Sequence, residues 1–477
     1  MEEVRKQNKW LVLIIVVLST FMSTLDSSIV NVALPRMADS LGVTTASIQF
    51  VATSYLIVIS GTVLIFGKLG DMFGKTSMFT LGVIVFTIGS LLCGLSHSFW
   101  ILIMARAVQA IGAAGTMANN QGIITEVFPV NERGKALGLL GTAVALGSLV
   151  GPGLGGMIVG VLSWEYIFTI NVPIGIIAAA GAFCLLPKTK AKAKGKMDLI
   201  GAVLFIVTIV SLFGALSEGL NLGFGNPLIL TGFLVAAACF AAFLFVEKNR
   251  KDPMIQLDIF KNGLFSLSIF CGFISFVALF CNNIILPFYL QDVMEFSPQK
   301  AGLIMMAYPL ILMVAAPVSG HFSDKTGSEI LTFVGLVFTS IGLFFMSFLN
   351  ENSAVITMVC FIGIMSVGNG LFQSPNNSLI MSTVPRDKLG VAGSINALVR
   401  NMGMVCGIAL ATTLLYGMMS SRLGYRVTDY IPGRSDVFLF GMNIVYITAS
   451  VICMIGAVLT FFRLKRKNIT AMAGNKL

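Results

Sequence analysis

The chain carries fourteen separate apolar runs, each long enough to cross a bilayer core of ~30 Å as a helix. They cover roughly residues 10–33, 47–66, 77–96, 100–123, 136–158, 165–186, 198–217, 227–246, 263–288, 301–320, 330–349, 354–375, 389–417 and 437–462. Backbone groups inside lipid have no water to bond, so runs of this length read as helices. The expected class is an all-α polytopic membrane protein. Composition points the same way: of 477 residues only 11% are charged and 56% are hydrophobic. Ordinary soluble domains carry about 25% charged residues, and a soluble fold of this size could not hide so much apolar surface. The first run is longer than a typical signal-peptide core and lacks a clear small-residue cleavage site, so it reads as a retained helix. The eight Cys all lie in apolar runs with no CxxC spacing, and read as small hydrophobes rather than a disulfide or metal framework.

The net charge of +10 describes orientation. With the N-terminus inside, 24 of the 31 Lys and Arg fall in cytoplasmic segments. Five (Arg36, Lys300, Arg422, Arg426 and Arg434) fall outside, and Arg106 and Arg400 lie within spans. This is the positive-inside pattern with both termini cytoplasmic. The basic surplus suits contact with anionic membrane lipids, and nucleic acid is not an expected partner.

The chain also repeats itself. Gly67-Lys-Leu-Gly-Asp71-Met-Phe-Gly74 follows span 2, and Gly320-His-Phe-Ser-Asp324-Lys-Thr-Gly327 follows span 10, offset by 253 residues. Asn31-Val-Ala-Leu34-Pro35 ends span 1 and Asn283-Ile-Ile-Leu286-Pro287 ends span 9, offset by 252. Spans 1–6 therefore pair with spans 9–14, leaving spans 7 and 8 as an inserted hairpin. The expected domains are a six-helix bundle over 1–187, a basic linker with the hairpin over 188–248, and a second six-helix bundle with the tail over 249–477. A parallel repeat of this kind suits alternating access.

Four ordered stretches carry a family resemblance. They are Leu25-Asp26-Ser-Ser-Ile-Val-Asn31-Val-Ala-Leu34-Pro35, the Gly67–Lys75 segment, Arg106-Ala-Val-Gln109-Ala-Ile-Gly112, and Gly147, Gly151, Pro152, Gly155 and Gly156 of span 5. Trp164 to Pro173 and Ser374-Pro375-Asn376-Asn377 add to them. Together the chain resembles the major facilitator superfamily, in its fourteen-span drug:H+ antiporter branch. The resemblance implies the major facilitator fold, proton-driven efflux without a cofactor, and action as a monomer in a bacterial plasma membrane. It departs from the family at Met72 and Thr76, where basic residues are usual, and at Glu165, where Arg often follows Trp164.

Asp26 is the central chemical candidate. A carboxylate at membrane depth costs roughly 2.5–3.5 kcal/mol on insertion scales, so it should face the bundle. Counting along the helices puts Arg106 at a similar depth. Burial favours the protonated carboxyl and a nearby Arg the charged one, a balance suited to proton coupling. A static buried ion pair is the alternative. Glycines at 147, 151 and 155 line one face of span 5 and permit close helix approach. Pro152 bends that helix, and the resemblance adds a sealing role in exporters. Gly67, Asp71, Gly74, Lys75, Gly320, Asp324 and Gly327 are expected in cytoplasmic loops, as gating elements or as solvated turns. Gly70 to Thr76 imitates a phosphate-binding loop, but three residues separate its glycines where four are needed, and a membrane helix precedes it. ATP hydrolysis is not expected.

Asn31, Tyr55, Gln109, Asn119, Asn283, Gln373 and Arg400 are candidate substrate contacts, with helix-to-helix hydrogen bonding the alternative for the amides. Arg400 has no obvious acidic partner at its depth and could serve a site or the structure. Away from helix ends, Asp26 is essentially the one embedded acid. That favours neutral, zwitterionic or monocationic cargo over dications. The functional expectation is a proton-coupled antiporter exporting lipophilic drugs or amphiphilic toxins. An exporter of a metabolite, peptide or lipid is the rival reading, and a membrane sensor a remote one. An enzyme is not expected, because no cluster of His, Asp or Cys lies at membrane depth.

Overall fold

Every apolar run is helical in the computed structural model, which describes residues 9–187, 198–250, 257–385 and 389–474. No strand occurs among the described residues. Among the described residues fourteen helices are long and apolar enough to cross a membrane. In the N-terminal part they are α1 (Lys9–Leu41), α2 (Thr45–Phe73), α3 (Lys75–Gly94), α4 (Phe99–Val127), α5 (Ala136–Val161), α6 (Tyr166–Leu185), α7 (Leu199–Gly219) and α8 (Pro227–Asn249). The rest are α9 (Gly263–Val293), α10 (Pro298–Ser323), α11 (Ser328–Met346), α12 (Val355–Ser382), α13 (Val391–Leu423) and α14 (Ser435–Leu464).

Several starts are capped by side chains that accept from orphan backbone N–H groups. Ser98 caps α4, Asp198 caps α7, Asn226 caps α8 ahead of Pro227, and Asn262 caps α9. The helices outrun the apolar stretches. Helix α1 continues through Pro35 to Leu41, because opening the ladder in lipid would strand more backbone groups than one proline removes. The two GxxxDxxG segments are likewise not loops. Their residues form the last turns of α2 and of the α10 helix, and only Gly74 (φ +98°) and Gly327 (φ +88°) break the chain before the next helix. A positive φ is open to glycine without steric cost, so a single residue reverses direction there.

The chain forms two compact units, Met1–Gln256 with Phe296–Leu303, and Leu257–Glu295 with Ile304–Leu477. In the first, α1 packs on α5 and α6, α4 on α2 and α3, and α3 on α6. The hairpin helices α7 and α8 pack on each other, with α7 against α2. In the second, α9 packs on α13 and α14, α12 on α10 and α11, and α11 on α14. Helix by helix, this is the pairing of the first unit again. The repeat reaches single glycines. A Cβ on Gly82 would fall 2.8 Å from the Gly112 carbonyl, and one on Gly335 would fall 2.7 Å from the Gly368 carbonyl. Each half thus crosses its third and fourth helices backbone to backbone, by van der Waals packing of small residues.

Candidate functional site

Midway along its spans the first unit buries a charged cluster around Asp26. Its starting point is Gly89 on α3, where a Cβ would fall 2.5 Å from the Gln109 backbone nitrogen. The missing side chain lets α4 approach, and Ser90 then meets the Gln109 side chain at 2.8 Å. Arg106 and Gln109 are three residues apart on α4 and so share a face. Arg106 Nη1 donates to Asp26 Oδ2 at 2.6 Å and to Gln109 Oε1 at 2.6 Å, and its Nε donates to the Val51 carbonyl at 3.1 Å. Asp26 Oδ1 accepts from Gln109 Nε2 at 2.8 Å and from Asn171 Nδ2 at 3.0 Å. The guanidinium lies over the Tyr55 ring, 4.1 Å from its centroid, with Phe168 at 5.5 Å. Cys93 Sγ donates weakly to Gln109 Oε1.

Asp26 is 0% and Arg106 1% exposed. An ion pair this deep persists only with good geometry and with its remaining lone pairs filled, and here both carboxylate oxygens are occupied. Aromatic faces add a further attraction for the guanidinium. The carboxylate therefore draws α1, α4 and α6 together, through one acid, one cation and two amides.

Helix α5 sits behind α1. Cβ atoms on Gly147 or Gly155 would press on the α1 backbone, at 2.9 Å from the Phe21 carbonyl and 3.0 Å from the Ile29 carbonyl. A Cβ on Gly151 would collide with the Ser28 hydroxyl. Ser28 Oγ donates to the Gly147 carbonyl at 2.9 Å. The glycine face of α5 thus seats the segment that holds Asp26. Gly156 faces elsewhere, against Pro298, and Gly302 meets the Pro152 carbonyl.

The other candidates fall into three groups. At the α2–α3 junction Lys75 Nζ lies 3.2 Å from Glu126 Oε1 and 3.8 Å from Asp71 Oδ1. Gly67 has open space around its Cα. Gly320 approaches the Ser374 hydroxyl, and the Asp324 side chain lies outside the described residues. Tyr55 and Gln109 belong to the Asp26 cluster. Asn119 is buried, donating to the Gly115 and Phe66 carbonyls at 2.9 and 3.3 Å. Asn31, Asn283, Gln373 and Arg400 are half-buried. Its neighbour Asn282 is the buried amide of that pair, accepting from the Tyr446 hydroxyl at 3.1 Å.

Sequence reasoning singled out Asp26, Arg106 and Gln109 but gave no role to Asn171, Ser90 or Phe168. Asn171 and Phe168 sit in the Trp164–Pro173 stretch already marked by the resemblance, so a signal existed. Ser90 had none beyond following Gly89.

A bundle of membrane-spanning helices with an Asp–Arg cluster buried mid-span, and no other buried acid among the described residues away from helix ends, is the frame expected of a membrane transporter. The Major Facilitator Superfamily model matches residues 16–408 and 269–475, and the chain belongs to that superfamily. Among its relatives, the riboflavin transporter RibZ of Clostridioides difficile (strain 630) is 36% identical over 96% of this chain and 98% of its own. The multidrug resistance protein Stp of Mycobacterium tuberculosis (strain CDC 1551 / Oshkosh) is 28% identical over 88% of this chain and 79% of its own. Among solved structures, a bacterial homologue of the human lysosomal transporter Spinster, inward-facing and unoccupied, shares the fold. It gives a TM-score of 0.67 at 16% identity, covering 95% of this chain and 96% of that one.

Proposed function

We propose that this transporter is a proton-coupled antiporter that exports amphiphilic small molecules by alternating access. The observation that carries the reading is Asp26, buried with both oxygens bonded by Arg106, Gln109 and Asn171. A proton on that carboxyl cancels the attraction to Arg106 and removes one acceptor oxygen from the amides. The α1–α4–α6 contact then loosens, and it tightens when the proton leaves. One proton moving through ~100 mV supplies about 2.3 kcal/mol, and one pH unit adds about 1.4 kcal/mol. That sum sustains a cargo gradient of a few hundredfold, on the order of 1.4 kcal/mol per tenfold. No cofactor is needed. The positive-inside pattern supports a plasma-membrane protein with both termini cytoplasmic.

The similarity to multidrug resistance proteins supports drugs or toxins as cargo. The similarity to a riboflavin transporter along nearly the whole chain favours a second reading, in which the cargo is a flavin-like planar heterocycle. Both readings share the proton cycle. The test is purified protein in liposomes with an imposed pH gradient, assayed with cationic dyes and with riboflavin. Asp26→Asn should abolish pH-driven accumulation while leaving exchange of labelled for unlabelled cargo. Undiminished pH-driven transport in that variant would sink the coupling role.

A further inference from the structure

We propose that Arg400 and Gln373 form a cargo subsite for a hydrogen-bond acceptor group, the carboxylate or imide edge of a planar amphiphile. This rests on the reading of the chain as a small-molecule transporter, but not on proton coupling or on direction. The argument begins with unmet donors. Three arginines lie in the described spans away from the outer surface, and two of them donate to side chains of other helices. Arg106 has the partners given above. Arg463, near the end of α14, donates to Thr332 Oγ1 at 2.6 Å and to Ser268 Oγ at 3.3 Å. Its Nε is unpartnered, but both of its terminal nitrogens are bonded, and Arg400 lacks even those contacts among the described residues. The Arg400 Nε is sealed from solvent and has no hydrogen-bond partner among the described residues. No ion pair reaches it there.

Among the described residues of the second unit, no acid lies at that depth in a span. The acids of the spans α9 to α14 sit in end turns: Asp292 closes α9, Glu329 opens α11 and Asp436 opens α14. A guanidinium stays charged at any physiological pH. It occurs this deep in a span only where a polar partner or water-filled space meets it.

Register supplies the second residue. Asn396 Nδ2 on α13 donates to Asn377 Oδ1 on α12 at 3.1 Å. Successive spans run antiparallel, so one turn further along each helix sets Gln373 opposite Arg400. Both side chains are half-buried. Gly403 and Gly407, one and two turns beyond Arg400, bring α13 close to the Phe273 and Val277 carbonyls of α9. Chemically the pair offers the fork of an arginine beside a carboxamide. The fork matches a carboxylate in bidentate fashion, or two acceptor oxygens in one plane. The carboxamide offers both donor and acceptor, which suits an imide edge. It offers nothing specific to an aromatic cation.

The test is equilibrium binding to purified full-length protein, without any pH gradient, followed by ligand fluorescence. Three probes separate the sources of the acceptor: norfloxacin carries a carboxylate, riboflavin an imide, and ethidium neither. Arg400→Met should weaken norfloxacin or riboflavin at least tenfold and leave ethidium within twofold. Arg400→Lys should recover part of the norfloxacin affinity, because the charge remains and the fork does not. Gln373→Leu should weaken riboflavin more than norfloxacin. An unchanged thermal unfolding midpoint in each variant shows that the fold survives. The proposal is overturned if all three probes weaken together, if none changes, or if neither acceptor-bearing probe binds the wild-type protein. Wild-type protein that shows this binding pattern but no pH-driven transport would count against proton coupling and leave the subsite standing.

Discussion

At the scale of single residues, the Asp26 cluster is a set of groups whose removal costs depend on what each leaves behind. Arg106→Ala strands a buried carboxylate and should destabilise by about 3–5 kcal/mol, read as a lowered unfolding midpoint in detergent. The double variant Asp26→Asn with Arg106→Ala should cost less than Arg106→Ala alone, because the stranded charge is gone. Equal or greater cost in the double variant would mean that the pair is not coupled. Asn171 makes a subtler prediction. It donates to Asp26 Oδ1 at 3.0 Å, and a hydrogen bond to a charged group is worth about 1.5–3 kcal/mol. Replacing it with Leu removes a donor that favours the charged carboxylate. Asn171→Leu should therefore lower the unfolding midpoint in detergent, and should cost much less in the Asp26→Asn background. An Asn171 that acts only through packing would cost as much in the Asp26→Asn background as in the wild type. Asp26 and Arg106 were legible in the sequence because a charge among apolar neighbours has few explanations. Asn171 was not, because an amide near a helix start has many. Only the fold shows that it meets the one acid.

At the scale of elements, the sequence carried helix number and order, but the ends of helices followed a different rule. Apolar runs mark where lipid is; they do not mark where a helix stops. Stops were set by Gly74 and Gly327, whose positive φ values end one helix and begin the next. The GxxxDxxG segments therefore read as loops from their polar residues and are helical in fact. Glycine in a span interior has a second meaning, and the structure separates its two cases. Gly112 stands against the Phe86 backbone, whereas Gly141 has nothing within 4 Å of a would-be Cβ. Gly112→Ala should force α3 and α4 apart and destabilise by about 1–3 kcal/mol or more. Gly141→Ala should be neutral or stabilising by roughly 0.5–1 kcal/mol, the helix-interior cost of glycine. Thermal unfolding of the two variants side by side checks both. The same contrast explains α5: Gly147, Gly151 and Gly155 are there because α1 is, so Gly151→Leu should displace Asp26 and abolish transport in protein that still inserts.

At the scale of the whole molecule, the two halves share a pattern of helix pairing but not a distribution of charge. The first unit holds Asp26 and Arg106 in mutual contact, and the second holds Arg400 without an acid. The repeat was readable from matched motifs at nearly one offset, whereas this asymmetry was readable only by placing each charge on its helix. It has an electrical consequence. With Asp26 the one acid in the interior of the fourteen spans, one proton is the expected exchange per cycle. Export of a neutral cargo against one entering proton then moves one net charge inward. Export of a monocation moves none, and export of a dication moves one charge outward against the membrane potential. Each net charge is worth about 2.3 kcal/mol per 100 mV, nearly a fiftyfold change in attainable gradient. In liposomes with an ionophore-set potential, inside negative and the transporter oriented for export, the accumulation ratio of a neutral cargo should rise with voltage. A monocation should respond to the pH difference alone, and a dication should be opposed. A monocation ratio that rises with voltage as steeply as that of the neutral cargo would require more than one proton per cycle, and with it a second proton carrier besides Asp26.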